Sequence, residues 1–254
     1  MEDLTSYLPT IGKTEGKIVL ITGGTTGIGR ATALYLAELG AKVMIVGRHE
    51  KELEDALSDL KKINENNVFG MIVDVADQKG VEKIFQALDH RFGKLDVLIN
   101  NAAIAYESVM DGSHDDRVYA VGTNITSYLL CAQEAAVRMK ENGSGHIVNV
   151  GSMSAEGREG GSSLYVATKS AIQGFSVSLQ KELNPHHIKV SLIEPGATAT
   201  DMQGPDAEEL KKKVEAEKML DASDIAAAIV YCLCQPNRCN VSTMQVEPIM
   251  KDEK

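Results

Sequence analysis

Short runs of aliphatic and β-branched residues alternate along the chain with longer stretches in which apolar positions recur every three to four residues. The runs at 17–22, 42–46, 68–73, 95–99, 146–150 and 188–193 are apolar almost throughout, the pattern of strands buried on both faces, and a seventh strand is expected at 241–246. The periodic stretches predict helices at about 28–39, 49–62, 78–91, 114–140, 163–183 and 222–234. Regular strand-helix alternation builds a parallel sheet covered on both faces. Right-handed crossovers wind it doubly, with a ligand crevice at the carboxyl ends of the strands. No repeat or linker interrupts the pattern, so residues 17–254 read as one α/β domain with a sheet of about seven strands, behind an N-terminal arm at 1–16. The Gly- and Ser-rich segment 151–162 and the segment beginning at Gly196 both follow strands and overhang the crevice. The second opens a substrate loop around 196–220. Its charged run 206–218 suits either a solvated helix face or a mobile lid.

Composition narrows the partners. The chain has 254 residues with 26 basic and 36 acidic side chains, a net charge of −10, and its longest basic run is Lys211, Lys212 and Lys213. That balance offers no stripe for nucleic acid or for an anionic membrane surface. No apolar run approaches the ~18 residues of a membrane helix, and the first residues lack a basic region followed by an apolar one, so the expected location is cytoplasmic. Cys232 and Cys234 lie two apart in a helical pattern, on different faces, so with Cys131 and Cys239 they read as free thiols rather than a metal site. His186 and His187 are adjacent with no third ligand at metal spacing, and His49, His90, His114 and His146 are isolated; no metal is expected.

The first strand runs into Thr22-Gly-Gly-Thr-Thr-Gly-Ile-Gly29, immediately before a helix. Glycines there permit a tight turn, close approach of a pyrophosphate to backbone N–H groups and close helix-to-strand contact, with the helix N-terminus facing the phosphates. This is the turn of a Rossmann-type dinucleotide fold. Farther on, Ser152 sits just beyond the strand ending at Val150, and Tyr165 and Lys169 share one helix face at i, i+4 spacing. Alone, each is commoner as a turn serine or a surface pair. With the glycine turn they form a constellation.

The order T-G-x-x-x-G-x-G at Thr22 to Gly29, Asn100-Asn101-Ala102, Asn124, Ser152, Y-x-x-x-K at Tyr165 to Lys169 and Pro195-Gly196 resembles the short-chain dehydrogenase/reductase family over nearly the whole chain. The sequence departs in having Asn-Asn-Ala-Ala where Asn-Asn-Ala-Gly is usual, Gly151-Ser152 where Ser-Ser is frequent, and no Asp-Gly-Gly near its end. The resemblance implies a catalytic set of Asn124, Ser152, Tyr165 and Lys169. Tyr165 would move a proton at the substrate oxygen, Ser152 would hold that oxygen, Lys169 would bind ribose hydroxyls, and Asn124 would anchor a water linking Lys169 to solvent. A phenol ordinarily titrates near 10. A cation about 4 Å away at an effective dielectric of ~20 favours the phenolate by about 4 kcal/mol, so Lys169 is expected to draw Tyr165 toward working pH. The resemblance also implies cofactor contacts from Gly23, Thr25, Thr26, Gly27, Ile28, Gly29, Asp74, Val75, Asn101, Tyr165, Lys169, Pro195, Gly196, Thr198 and Thr200. Asp74 would meet the adenine amino group, and the two threonines either touch the cofactor or cap their own loop.

Cofactor choice is read from the second strand. An NAD-selective fold places a carboxylate about 20 residues beyond the glycine turn to bond the adenosine ribose. Here Gly47 stands in that place and Arg48 follows, a guanidinium suited to a 2′-phosphate, so NADP is expected over NAD. The function expected is an NADP-dependent oxidoreductase interconverting an alcohol and a carbonyl. The alternative is a non-catalytic dinucleotide-binding redox sensor, and a lyase or isomerase using the same tyrosine is a third reading. Met153, Ser154, Glu156, Arg158, Glu159 and Tyr106 suggest a polar mouth to the substrate pocket. Apolar residues around the helix at 163–183, among them Ala171, Phe175 and Leu179, together with the resemblance, imply a homo-oligomer, a tetramer or dimer.

Overall fold

In the computed structural model, which describes residues 14–204 and 206–250, all seven expected strands join one parallel sheet in the order β3-β2-β1-β4-β5-β6-β7. They are β1 Ile18–Thr22, β2 Lys42–Gly47, β3 Val68–Ile72, β4 Val97–Asn100, β5 Gly145–Val150, β6 Ile188–Pro195 and β7 Thr243–Val246. The strand order reverses between β1 and β4, which opens the crevice at their carboxyl ends. Of the expected N-terminal arm, residues 1–13 lie outside the described residues.

Alternation along the strands divides the core into two layers. Leu20, Met44, Val46, Leu98, Ile147 and Val190 face one side, where they meet α3 Gln78–Phe92, α5 Ser127–Glu141 and α7 Ser163–Leu183. Val19, Ile21, Val43, Ile45, Ile99, Val148 and Ile193 face the other, under α1 Gly27–Glu38, α2 Glu50–Asn64 and α9 Ala222–Leu233. Sealed on both faces, the strands must be apolar throughout, which is why period-two alternation is missing from the sequence.

The predicted boundaries shift where side chains compete for the backbone. The fourth strand begins at Val97 rather than at residue 95 because the Asp96 carboxylate accepts the Ile18 N–H at 2.9 Å and pairs with Lys17 and Lys94. The helix expected at 114–140 is interrupted. It comprises α4 His114–Val121, a π turn Gly122–Thr126 and α5, and the turn carries Asn124, whose amide bonds both main-chain groups of Ile104 at 2.9 Å. The loop after β5 contains a short helix, α6 Ser154–Gly157, and the loop after β6 contains α8 Ala207–Glu215. The cysteines are free, and among the described residues no group of His, Cys, Asp or Glu is arranged to hold a metal. Both Cys232 and Cys234 are buried, Cys232 in α9 and Cys234 at its C-cap.

Candidate active site

At the sheet reversal the glycine turn is as tight as its sequence requires. Gly23 and Gly27 have φ of +62° and +49°, and a β-carbon on Gly23 would lie 2.8 Å from the Ala102 Cα. One on Gly29 would lie 2.1 Å from the Gly23 carbonyl oxygen. Asn101 braces the turn, its Nδ2 donating to the carbonyls of Thr22 and Gly23, so this amide is spent on positioning rather than extended into the crevice. Thr26, at the N-cap of α1, forms no capping bond, and no acidic residue occupies the first turn. The leading N–H groups of a three-turn helix are thus left without a capping side chain at the crevice, a cradle that fits the pyrophosphate of a dinucleotide. Ile28 rests on the core beneath it. Thr200 lies over the same turn, since a β-carbon on Gly27 would be 3.0 Å from the Thr200 Cγ2. Thr198 instead turns inward: it is buried, and its hydroxyl donates to the Gly196 carbonyl.

Across the crevice, Ser152, Tyr165 and Lys169 come together. Ser152 is fixed by the backbone around it, where Gly151 N–H donates to Ile193 and Met153 N–H to Pro195, and its Oγ accepts from Ser154 N–H. Its hydroxyl lies near enough to the Tyr165 phenol to favour the ionised ring. Lys169 is buried, its ammonium 3.0 Å from the Val150 carbonyl oxygen and 5.7 Å from the ring centres of both Tyr165 and Tyr128. Asn124 joins this group through Thr168, which accepts its amide and donates to the Tyr165 carbonyl.

The electrostatics correct one expectation. Burial raises the Tyr165 phenol above its ordinary value, opposed by the nearby Ser152 hydroxyl, and burial lowers Lys169 to about 8. Desolvation, rather than the Lys169 charge, therefore sets the direction in which the phenol is shifted.

The carboxyl ends of β2 and β3 carry a residue that the sequence did not single out. Arg48 follows β2, Asp74 follows β3, and between them stands Tyr119 of α4, which accepts a bond from Arg48 Nη1 and donates to Asp74 Oδ2 at 2.8 Å. Asp74 Oδ1 accepts the Ala76 N–H. Val75 is buried in the core, which leaves its main chain for any cofactor contact. Gly47 has a structural reason as well, for a β-carbon there would lie 2.5 Å from the Thr25 Cγ2.

Of the side chains expected at the mouth, Glu156 accepts from Gln173 on α7, Arg158 Nε donates to the Ala155 carbonyl, and Tyr106 donates to the Asp111 carbonyl. Val109 and Met110 stand exposed on the loop after β4. The base of the loop after β6 is pinned, with Leu220 N–H donating to Ala197 and Ala199 N–H to Leu220. Pro195 ends β6 and Gly196 follows it; a β-carbon on Gly196 would lie 3.1 Å from the Pro248 Cδ, so the C-terminal segment crosses directly over it.

A doubly wound sheet with a phosphate cradle at its reversal and a Ser–Tyr–Lys cluster across the crevice defines a nucleotide-binding α/β enzyme class. The model of the short chain dehydrogenase family matches residues 17–211. An uncharacterized oxidoreductase of Staphylococcus aureus (strain MW2) is 33% identical over 234 residues, 92% of this chain and 97% of that protein. One of Staphylococcus haemolyticus is 34% identical over 235 residues, 92% of this chain and 98% of that protein. Among solved structures, a short chain dehydrogenase from Burkholderia cenocepacia in complex with NADP superposes with a TM-score of 0.82 at 29% identity, over 93% of this chain and 98% of that one. Levodione reductase does so with 0.81 at 26%, over 91% and 96%. The chain belongs to the short-chain dehydrogenase/reductase family and is an oxidoreductase of that family.

Proposed function

We propose that the protein interconverts an alcohol and a carbonyl with NADP as its dinucleotide. The observation that carries this reading is the convergence of Ser152, Tyr165 and buried Lys169 opposite the glycine cradle. The chemistry supplied by a bound nicotinamide dinucleotide is transfer of a hydride to or from the substrate carbon. The chain's part is the proton. In the reductive direction Ser152 Oγ–H and Tyr165 Oη–H converge on the carbonyl oxygen, and Tyr165 gives its proton to that oxygen as negative charge develops there. A phenol held above its ordinary value keeps its proton across neutral pH, which suits it to this donation. Lys169 stands behind the ring as the next group in the proton path, with ribose hydroxyls as its further partners. The Asn124 amide is taken up by Ile104 and Thr168, so the relay water assigned to this residue falls to the main chain of the π turn.

NADP rather than NAD is supported by Arg48 at the end of β2 and by Gly47, whose place over Thr25 leaves no room for a carboxylate side chain. Thr25, Thr26 and Thr200 line the phosphate path, and Asp74 is assigned to the adenine. The substrate is a small carbonyl or alcohol entering past Val109 and Met110. The functional unit is a homo-oligomer, and the expected location is the cytoplasm; no helix of the described residues is long and apolar enough to cross a membrane. The test is oxidation of NADPH and NADH, followed at 340 nm against a panel of aldehydes and ketones. Turnover faster with NADPH supports the reading, and binding without turnover by any carbonyl favours a redox-sensing protein.

A further inference from the structure

Arg48, Tyr119 and Asp74 come from three separate elements and meet over the carboxyl ends of β2 and β3. Every bond in the chain has one direction. The Ala76 N–H fixes Oδ1 of Asp74, Oδ2 takes the Tyr119 proton, and the phenolic oxygen, its proton committed, turns a lone pair to Arg48. The guanidinium carbon also lies 5.5 Å from the Tyr119 ring centre, within range of the ring's negative face. Arg48 is otherwise exposed, and among the described residues no carboxylate forms an ion pair with it. A long side chain at a strand end ordinarily sweeps a wide volume, and ordering it on a ligand costs rotamer entropy. Here one nitrogen is anchored before any ligand arrives, while the rest of the fork and its full charge remain available.

We infer that Tyr119 is a specificity-determining residue, which presents Arg48 to a 2′-phosphate on the adenosine ribose. This rests on the NADP reading above and adds to it a residue without which Arg48 is only a mobile cation. Because the anchor runs on to Asp74, the group that holds the phosphate-binding guanidinium is fixed by the same carboxylate that is assigned to the adenine. The ribose phosphate and the base are thereby read in a fixed mutual register.

The experiment is calorimetric binding of two probes that carry no nicotinamide, adenosine 2′,5′-bisphosphate and adenosine 5′-monophosphate, to the wild type, Tyr119→Phe and Arg48→Ala. Tyr119→Phe keeps the ring and removes only the oxygen. A hydrogen bond involving a charged group corresponds to about a tenfold change in affinity. The expected result is that Tyr119→Phe weakens the bisphosphate by about that factor and leaves the monophosphate within twofold, while Arg48→Ala removes most of the preference. If Arg48→Ala leaves the preference intact, the NADP reading itself fails, and this inference with it. If Arg48→Ala removes the preference and Tyr119→Phe does not reduce it, Tyr119 has no selective role and the NADP reading stands. Equal weakening of both probes, or tighter binding of either, also overturns the inference, since Tyr119 would then act on the adenine or obstruct it.

Discussion

The ammonium of Lys169 lies 3.0 Å from the carbonyl oxygen of Val150, the last residue of β5, so the helix that carries Tyr165 is bonded to the strand that leads into Ser152. Burying the ammonium costs stability, because desolvation lowers the group to about 8 while it remains charged at pH 7. A native pKa below the unfolded one means that the unfolded chain binds more protons between about pH 8 and 10.5, so stability rises with pH across that window. Lys169→Met removes the penalty, which is on the order of 3 kcal/mol at most. Chemical denaturation at pH 7 is expected to find the variant at least as stable as the wild type, with turnover reduced by ~10² or more. A variant both less stable and fully active contradicts this account of Lys169.

Gly151 and Glu194 depend on each other. A β-carbon at 151 would lie 3.0 Å from the Leu192 Cδ1 and 3.3 Å from the Glu194 Cγ, so the glycine that precedes Ser152 makes room for a wholly buried glutamate. Gly151→Ser is expected to destabilise by about 1–3 kcal/mol through overpacking. Glu194→Ala should relieve part of that cost, giving a coupling of at least ~0.5 kcal/mol in a double-mutant cycle read by urea unfolding. Strict additivity would show that the two sites are independent.

His146 makes the fold sensitive to acid. Its ring is buried in β5 with Nε2 2.9 Å from the Ser191 Oγ, and burial, helped by the charge of Lys189, lowers it to about 3. Between about pH 6.5 and 3 the unfolded chain takes up a proton there that the folded chain refuses, so stability is complete above that window and is lost as pH falls through it. The full loss corresponds to about 4–5 kcal/mol. His146→Gln should flatten this part of the stability-versus-pH curve. An unchanged slope would remove His146 as its cause.

These features divide by how far apart their parts lie in the chain. The glycine turn and the Tyr165–Lys169 pair are contiguous, and their spacing alone places a phosphate cradle and a two-group helix face. The strands were legible because burial on both faces enforces continuous apolar runs. Tyr119 was not legible, since its partners Arg48 and Asp74 are brought to it only by the sheet and lie far off in sequence. The π turn was hidden because Asn124 sits in an otherwise helical pattern and its partner Ile104 belongs to a loop. The shift of Tyr165 could not be read at all, because spacing gives the distance to a charge and not the depth of burial.

The helix faces also correct the basis for the oligomer. Phe175 and Leu179 belong to the core, whereas Ala171 and Val177 on α7 and Leu129 and Val137 on α5 stand exposed. Exposed apolar side chains on these two helices are expected to be covered by a second copy. Light scattering at micromolar concentration should give a dimer or tetramer, and Val177→Glu with Leu129→Glu should dissociate it. A monomeric wild type contradicts the expectation.

In the proposed reaction the Tyr165 hydroxyl carries the proton that accompanies hydride transfer. This role is tested most directly by Tyr165→Phe, which leaves the ring in place, measured on whichever carbonyl the wild type reduces fastest with NADPH, alongside NADPH affinity from fluorescence titration. Turnover is expected to fall by ~10² or more, with cofactor affinity within twofold of wild type. A variant that keeps more than about a tenth of the wild-type rate would contradict this role.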